Sequence, residues 1–232
     1  SFIANAVCDE APEFSKKVKV IPNFVGHNGD PLEVAKRDKC ILYVGRLHPE
    51  KGVHLLIEAF KKFLSEDPSG WKLRLIGPWE VAHGGAGEEY FTSLRKASQS
   101  IQNSVEWIGP VFDAKQLSAH YQQSSFLVYP SVAGRGEASP LAPLEAMAEG
   151  CPAVVSSLGC FRDYIRPGQN GWTFDESSPD RVTNLAATLR SVVSDPRTME
   201  KVRAEAFQTA QSLGLSQIAD RYLSDFQELV VQ

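Results

Sequence analysis

Cysteine is scarce in this 232-residue chain: Cys8, Cys40, Cys151 and Cys160 form no Cys-x-x-Cys pair. That argues against a disulfide framework or a zinc site, and reads the three in apolar surroundings as small core residues. No apolar run approaches the roughly 20 residues that a membrane-spanning helix needs. The opening SFIANAVCDEAPEF also lacks the basic flank and long apolar core of a signal peptide, so the expected location is the cytoplasm. Positive charge is in deficit, with 24 Lys and Arg against 28 Asp and Glu, a formal net charge of −4. No basic stripe tracks a nucleic-acid backbone, which excludes nucleic acid as the expected partner. No two aspartates are separated by one residue and no His-Glu-x-x-His occurs, so no protein-held metal is expected. Neither GxxxxGK[ST] nor GxGxxG is present.

What is there is ordinary globular composition, 43% hydrophobic and 22% charged. At this length a chain buries roughly 70 to 75% of its unfolded surface, enough for one large core with a small appendage but tight for two full domains. The first residue, Ser1 rather than methionine, points to an excised piece. Short β-rich runs alternate with stretches of helical period, the order of a parallel sheet covered by helices. Strands are expected at Lys19 to Ile21, Cys40 to Val44, Lys72 to Ile76, Val105 to Ile108, Phe126 to Tyr129, Ala153 to Val155 and Trp172 to Phe174. Helices are expected over 53–66, 88–101, 114–123 and 141–149, with Asp113 and Ser139 as N-caps. In the first, Leu55, Leu56, Ala59, Phe60 and Phe63 share one face and Glu58, Lys61, Lys62 and Glu66 the other. After residue 175 three helical segments follow, 179–194, 196–212 and 216–230. The glycine cluster His83-Gly84-Gly85-Ala86-Gly87 reads as a mobile loop.

Most of the strands end within a residue or two of glycine or proline, and in doubly wound sheets ligands sit beyond those carboxyl ends. Two constellations lie there. Gly45-Arg46-Leu47-His48-Pro49-Glu50-Lys51-Gly52 puts two cations between a buried strand and a helix start, a receptor for phosphate or diphosphate; the competing reading is a solvated turn. Glu137 and Glu145 bracket a loop-to-helix transition; a glutamate one turn into a helix can accept a ribose diol, while the open amides face an anion. The competing reading makes Glu145 a helix-dipole partner and Glu137 a surface residue. His48, between the cations, reads as solvated, and His27, His54, His83 and His120 have no partners at ligand spacing. Trp71, Trp79, Trp107 and Trp172 read as core or rim packing.

Six segments then occur in a familiar order: VIPNFV (20–25), ILYVGRLHPEKGVHLLIEAF (41–60), VEWIGPV (105–111), VYPS (128–131), EASPLAPLEAMAEGCPAVVSS (137–157) and GQNGWTFD (168–175). The chain resembles the family 4 glycosyltransferases over nearly its whole length. The resemblance implies a Rossmann-like, doubly wound parallel sheet with C-terminal helices, the donor-binding half of a GT-B enzyme. Residues 1–25 would be the tail of an acceptor domain and the linker, and 26–232 the nucleotide-sugar-binding domain. It further implies that Arg46 and Lys51 clamp the donor diphosphate and that Glu145 holds the ribose hydroxyls. Glu137 would lie near the transferred sugar, the amides of Leu141 and Ala142 would face the diphosphate, and Val111 would meet the base through its backbone. Many family members read Glu-x-Phe-Gly between the glutamates, where this chain has Ser139-Pro140; proline offers no amide donor, so sugar identity does not transfer.

The implied activity is retaining, metal-independent transfer of a sugar from a nucleoside-diphosphate sugar, with Arg46, Lys51 and Glu137 the catalytic set and no other cofactor. Glu137 is an orienting residue there, because the two-carboxylate logic of glycoside hydrolases does not carry over. The acceptor, a carbohydrate or a lipid-linked one, would be held by the opposing domain, along with any peripheral contact with the inner membrane face. The alternatives are a non-catalytic nucleotide-sugar-binding module, a hydrolase or epimerase of the same architecture, and a plain structural α/β domain.

Overall fold

The computed structural model describes residues 2–26, 37–66, 70–134 and 137–231. His27 lies outside them. A helix α1 (Phe2–Glu10) and an irregular segment precede the α/β body. The body runs β1 (Asp38–Val44), α2 (Val53–Glu66), β2 (Lys72–Ile76), α3 (Gly87–Ala97), β3 (Val105–Gly109), α4 (Ala114–Gln123) and β4 (Ser124–Tyr129). It continues through α5 (Leu141–Ala148), β5 (Ala153–Ser156), β6 (Gly171–Phe174), α6 (Arg181–Ser194), α7 (Pro196–Gln211) and α8 (Leu215–Val231). The six strands pair in parallel in the order β3-β2-β1-β4-β5-β6, the expected doubly wound sheet. Among the described residues no helix is long and apolar enough to cross a membrane.

Strand alternation sorts the core onto two faces. Ile41, Tyr43, Leu73, Leu75, Phe126, Val128 and Val154 point to one side, where they meet Leu56, Phe60 and Phe63 of α2 and Leu185 and Leu189 of α6. Leu42, Leu127, Tyr129, Ala153 and Val155 point to the other, against Leu144 and Met147 of α5 and Ala206 and Ala210 of α7. All five apolar positions read on one face of 53–66 are buried. Removing a side chain of that size from water contributes about 1.5 to 3 kcal/mol. Cys40, Cys151 and Cys160 are buried free thiols, as composition predicts. Beneath the sheet the buried Arg37 donates to the carbonyls of Tyr121, Ser124 and Glu149 at 2.8 to 2.9 Å, satisfying acceptors that the ends of α4 and α5 leave open.

Several expectations change. Lys19 to Ile21 is no strand: no ladder partner reaches it, and Lys19 instead forms ion pairs with Asp225 and Glu228 on α8. The helix expected over 88–101 ends at Ala97 and gives way to 3-10 turns kinked at Ile101. Asp113 does cap α4, accepting from the Gln116 amide at 2.8 Å. Ser139 does not cap α5; Pro140 holds that position and offers no side-chain acceptor. The glycine cluster is anchored rather than loose. Its Gly85, Ala86 and Gly87 amides donate to the carbonyls of Glu80, Leu47 and Trp79 at 2.7 to 3.0 Å.

The crossover of the sheet lies between β1 and β4, so the loops leaving those strands must meet. Gly52 makes the meeting possible. It sits at φ +69°, and a Cβ there would lie 2.0 Å from the Pro130 carbonyl oxygen. Gly77 does the same for the neighbouring loop, where a Cβ would lie 1.8 Å from the Gly45 oxygen. Gly52→Ala is expected to cost about 2 kcal/mol or more through strain and displacement of the 130–134 loop. Urea unfolding reads this directly, and an unchanged midpoint would show that the contact does not constrain the loops.

Candidate functional site

The loop after β1 is pinned from below. The Gly45 amide donates to the Ile76 carbonyl at 3.0 Å, the Leu47 amide to Pro78 at 2.8 Å, and the buried Tyr43 hydroxyl to the Arg46 carbonyl at 2.8 Å. Arg46 therefore leaves the strand tip in a fixed direction. Its Nη1 donates to the Gly84 carbonyl and its Nη2 to Glu50 Oε1, both at 2.9 Å. His48 caps the single turn Pro49–Lys51, its Nδ1 accepting from the Glu50 amide at 3.4 Å. The ring remains 36% exposed, so this local role adds to the solvated reading expected from sequence.

Lys51 follows within that turn and is buried, with 6% of its surface exposed. A buried ammonium needs a counter-charge. Glu137, 86 residues later and 8% exposed, supplies it in direct contact through Oε1. The same oxygen accepts from the Ser131 hydroxyl at 2.9 Å and the Tyr129 hydroxyl at 3.1 Å. Burial and then the adjacent carboxylate push the Tyr129 phenol far above its ordinary pKa, so it stays a neutral donor. The backbone joins the loops a second time: the Glu50 carbonyl accepts from the Val132 amide at 2.8 Å and from the Ser131 hydroxyl at 3.2 Å.

The second half of the site is built on α5. Its first turn carries no acidic residue and no side-chain cap, so the amides of Leu141 and Ala142 lack intrahelical acceptors, while Pro143 contributes none. Glu145, one turn in, accepts from the Tyr121 hydroxyl at 2.9 Å. Tyr121 is buried, and burial with the Glu145 charge raises its pKa well above the ordinary value. Glu145 and Leu141 line a cleft of about 420 Å³ between the 23–26 segment and α4. Val111 and Ala142 are half-buried and pack against the Leu42 and Tyr121 side of the core.

Thus the structure brings Arg46, Lys51 and Glu137 into one charged cluster, and places Leu141, Ala142 and Glu145 in the first turns of α5, which begins four residues after Glu137. Val111 stands two residues beyond β3, with two strands between β3 and β4 in the sheet, and its side chain turns toward the core. Sequence reasoning missed Glu50, Tyr121 and Ser131 as partners. None of the three carried a sequence signal, since Arg46 to His48 are not helical and their spacing from Glu50 does not by itself bring the side chains together. No group of three or more His, Cys, Asp or Glu able to hold a metal ion occurs among the described residues.

Strand order and a polar cluster at the crossover define the class, a Rossmann-like α/β domain with its site at the carboxyl ends of the strands. The family model described as glycosyl transferases group 1 matches residues 29–209, and the chain belongs to that family. Two curated relatives bracket the likeness. The exopolysaccharide phosphotransferase SCO2592 of Streptomyces coelicolor is 29% identical over 92% of this chain and 21% of its own length. A D-inositol 3-phosphate glycosyltransferase of Geodermatophilus obscurus is 30% identical over 70% of this chain and 35% of its own. The chain thus spans about a fifth and a third of these relatives. Among solved structures, Anabaena Alr3699/HepE in complex with UDP and glucose matches with a TM-score of 0.68 at 22% identity, over 84% of this chain and 49% of that one. This is a likeness of fold, that of the GT-B glycosyltransferases.

Glu137→Ala would leave Lys51 buried without a counter-charge. A loss of about 3 kcal/mol at pH 7 is expected by urea unfolding. A loss below about 0.5 kcal/mol would show that the pair is not a structural tie.

Proposed function

We propose that the chain is the donor-binding half of a retaining, metal-independent family 4 glycosyltransferase that uses a nucleoside-diphosphate sugar. One observation carries the reading: the loops leaving β1 and β4 tie Arg46, Lys51 and Glu137 into one cluster, and the chain runs on from Glu137 into the uncapped start of α5, which carries Glu145 one turn in. A diphosphate needs fixed positive charge and open amides. A ribose needs a carboxylate one turn away, and Glu145, oriented by Tyr121, stands there beside the cleft. HepE, a structural neighbour solved with UDP and glucose, supports a nucleotide-sugar ligand.

As the bond from the sugar carbon to the β-phosphate oxygen breaks, negative charge grows on that phosphate. Arg46, Lys51 and the Leu141 and Ala142 amides stabilise it electrostatically, from positions fixed before the reaction. The acceptor hydroxyl attacks from the same face, assisted by the departing phosphate, so configuration is retained. Glu137 has one oxygen committed to Lys51, Tyr129 and Ser131, which leaves Oε2 to orient the sugar. Val111 meets the base through its backbone. The acceptor, a carbohydrate or lipid-linked molecule, is held by an opposing domain, which also carries any contact with the inner membrane face. Phe14, Val20 and Phe24 before the sheet and Leu215, Leu223 and Phe226 on α8 are exposed apolar residues, which supports such a neighbour.

The test compares Lys51→Ala with the unsubstituted chain by calorimetric titration of UDP, GDP and ADP and of their nucleosides. Diphosphate binding is expected to weaken ~30-fold or more, and nucleoside binding less than about twofold. Equal losses would show that Lys51 does not contact phosphate.

A further inference from the structure

Both cations assigned to the diphosphate already have carboxylate partners. Glu50 Oε1 lies 2.9 Å from Arg46 Nη2, 3.6 Å from His48 Nδ1 and 3.9 Å from Lys51 Nζ. Glu137 contacts Lys51 from the other side. Arg46, Lys51, Glu50 and Glu137 therefore sum to zero formal charge. An incoming diphosphate meets no net attraction from these four unless one carboxylate gives way.

The two carboxylates differ in what holds them. Glu137 is buried and its Oε1 accepts from three donors, so displacing it would strand a buried ammonium and two hydroxyls. The Glu50 side chain is one-third exposed, and its partner Arg46 is 44% exposed. An exposed ion pair of this kind is worth only about 0 to 1 kcal/mol, so the carboxylate can turn into water at little cost. The backbone oxygen of Glu50, not its side chain, ties the two loops together. The side chain can move without opening the site.

We propose that Glu50 is a built-in counter-anion: it holds Arg46 in the empty site, yields it to the donor diphosphate, and reclaims it as the nucleoside diphosphate leaves. The inference rests on the donor-site reading above. Glu50 then sets the affinity and release rate of the product rather than the chemistry. A carboxylate so close to both cations also repels bound phosphate at short range, where Coulomb terms are appreciable even near a surface.

The experiment measures equilibrium binding and dissociation rates of UDP, GDP and ADP, and of the matching nucleosides, for the full chain and for Glu50→Gln and Glu50→Ala. Circular dichroism confirms folding. The expected result is that both variants bind a diphosphate roughly three- to tenfold tighter, with correspondingly slower release and unchanged nucleoside affinity. Equal or weaker diphosphate binding in the variants, with normal binding by the unsubstituted chain, overturns the counter-anion role and leaves the donor site intact; Glu50 would then only orient Arg46. Binding of none of the three diphosphates by the unsubstituted chain overturns the donor reading, and this inference with it.

Discussion

The parallel pairing of β1 with β4 is the constraint on which the rest of the structure depends. Ile41 and Leu42 lie beside Phe126 and Leu127, partners some 85 positions apart in the chain. Every residue of the charged cluster leaves one of these two strands. The sheet fixes where the loops start, and the Lys51 to Glu137 ion pair, with the Glu50 carbonyl beside it, fixes where they meet. Long-range pairing of this kind costs loop-closure entropy before it returns any contact. The large buried faces of β1 and β4 offset that cost, and the polar site is built on the remainder.

The site joins two kinds of positive potential. One is side-chain charge, held by carboxylates and buried phenols; the other is the set of open amides at the start of α5. Pro140 and Pro143 sharpen the second, since neither has an N–H and the free donors narrow to Leu141 and Ala142 in the first turn. The phenols serve the carboxylates: Tyr129 and Tyr121 each donate to one glutamate, and burial keeps both neutral. Each glutamate thereby has one oxygen fixed by the protein.

Much of this was legible in the sequence, for identifiable reasons. The strands after residue 37 announce themselves as short β-branched runs ending at glycine or proline, and α2 by its period. Asp113 caps a helix as its type predicts, because capping is local. What failed depended on the fold. Lys19 to Ile21 has the composition of a strand, but it pairs with no strand and Lys19 forms ion pairs with α8 instead. The cluster 83–87 looked loose by composition, yet the 46–47 and 79–80 segments provide acceptors for its amides and a donor to its Gly84 carbonyl. Ser139 is a good cap by type, and Pro140 stands one residue closer to the helix. Tyr121 and Ser131 became partners only when α4 and the 130–134 loop were laid beside the glutamates. Glu50 became a partner of Arg46 only through the turn Pro49–Lys51 that brings its side chain back.

The central claim is that the crossover holds a nucleoside diphosphate by its phosphates. A ligand bound only by the folded state raises the unfolding midpoint as its concentration rises. The most direct measurement is therefore a thermal-shift titration of the chain against UDP, GDP and ADP, each beside its nucleoside. At least one diphosphate should raise the midpoint in a saturable way, and its nucleoside should raise it far less. A flat response to all six would contradict the account.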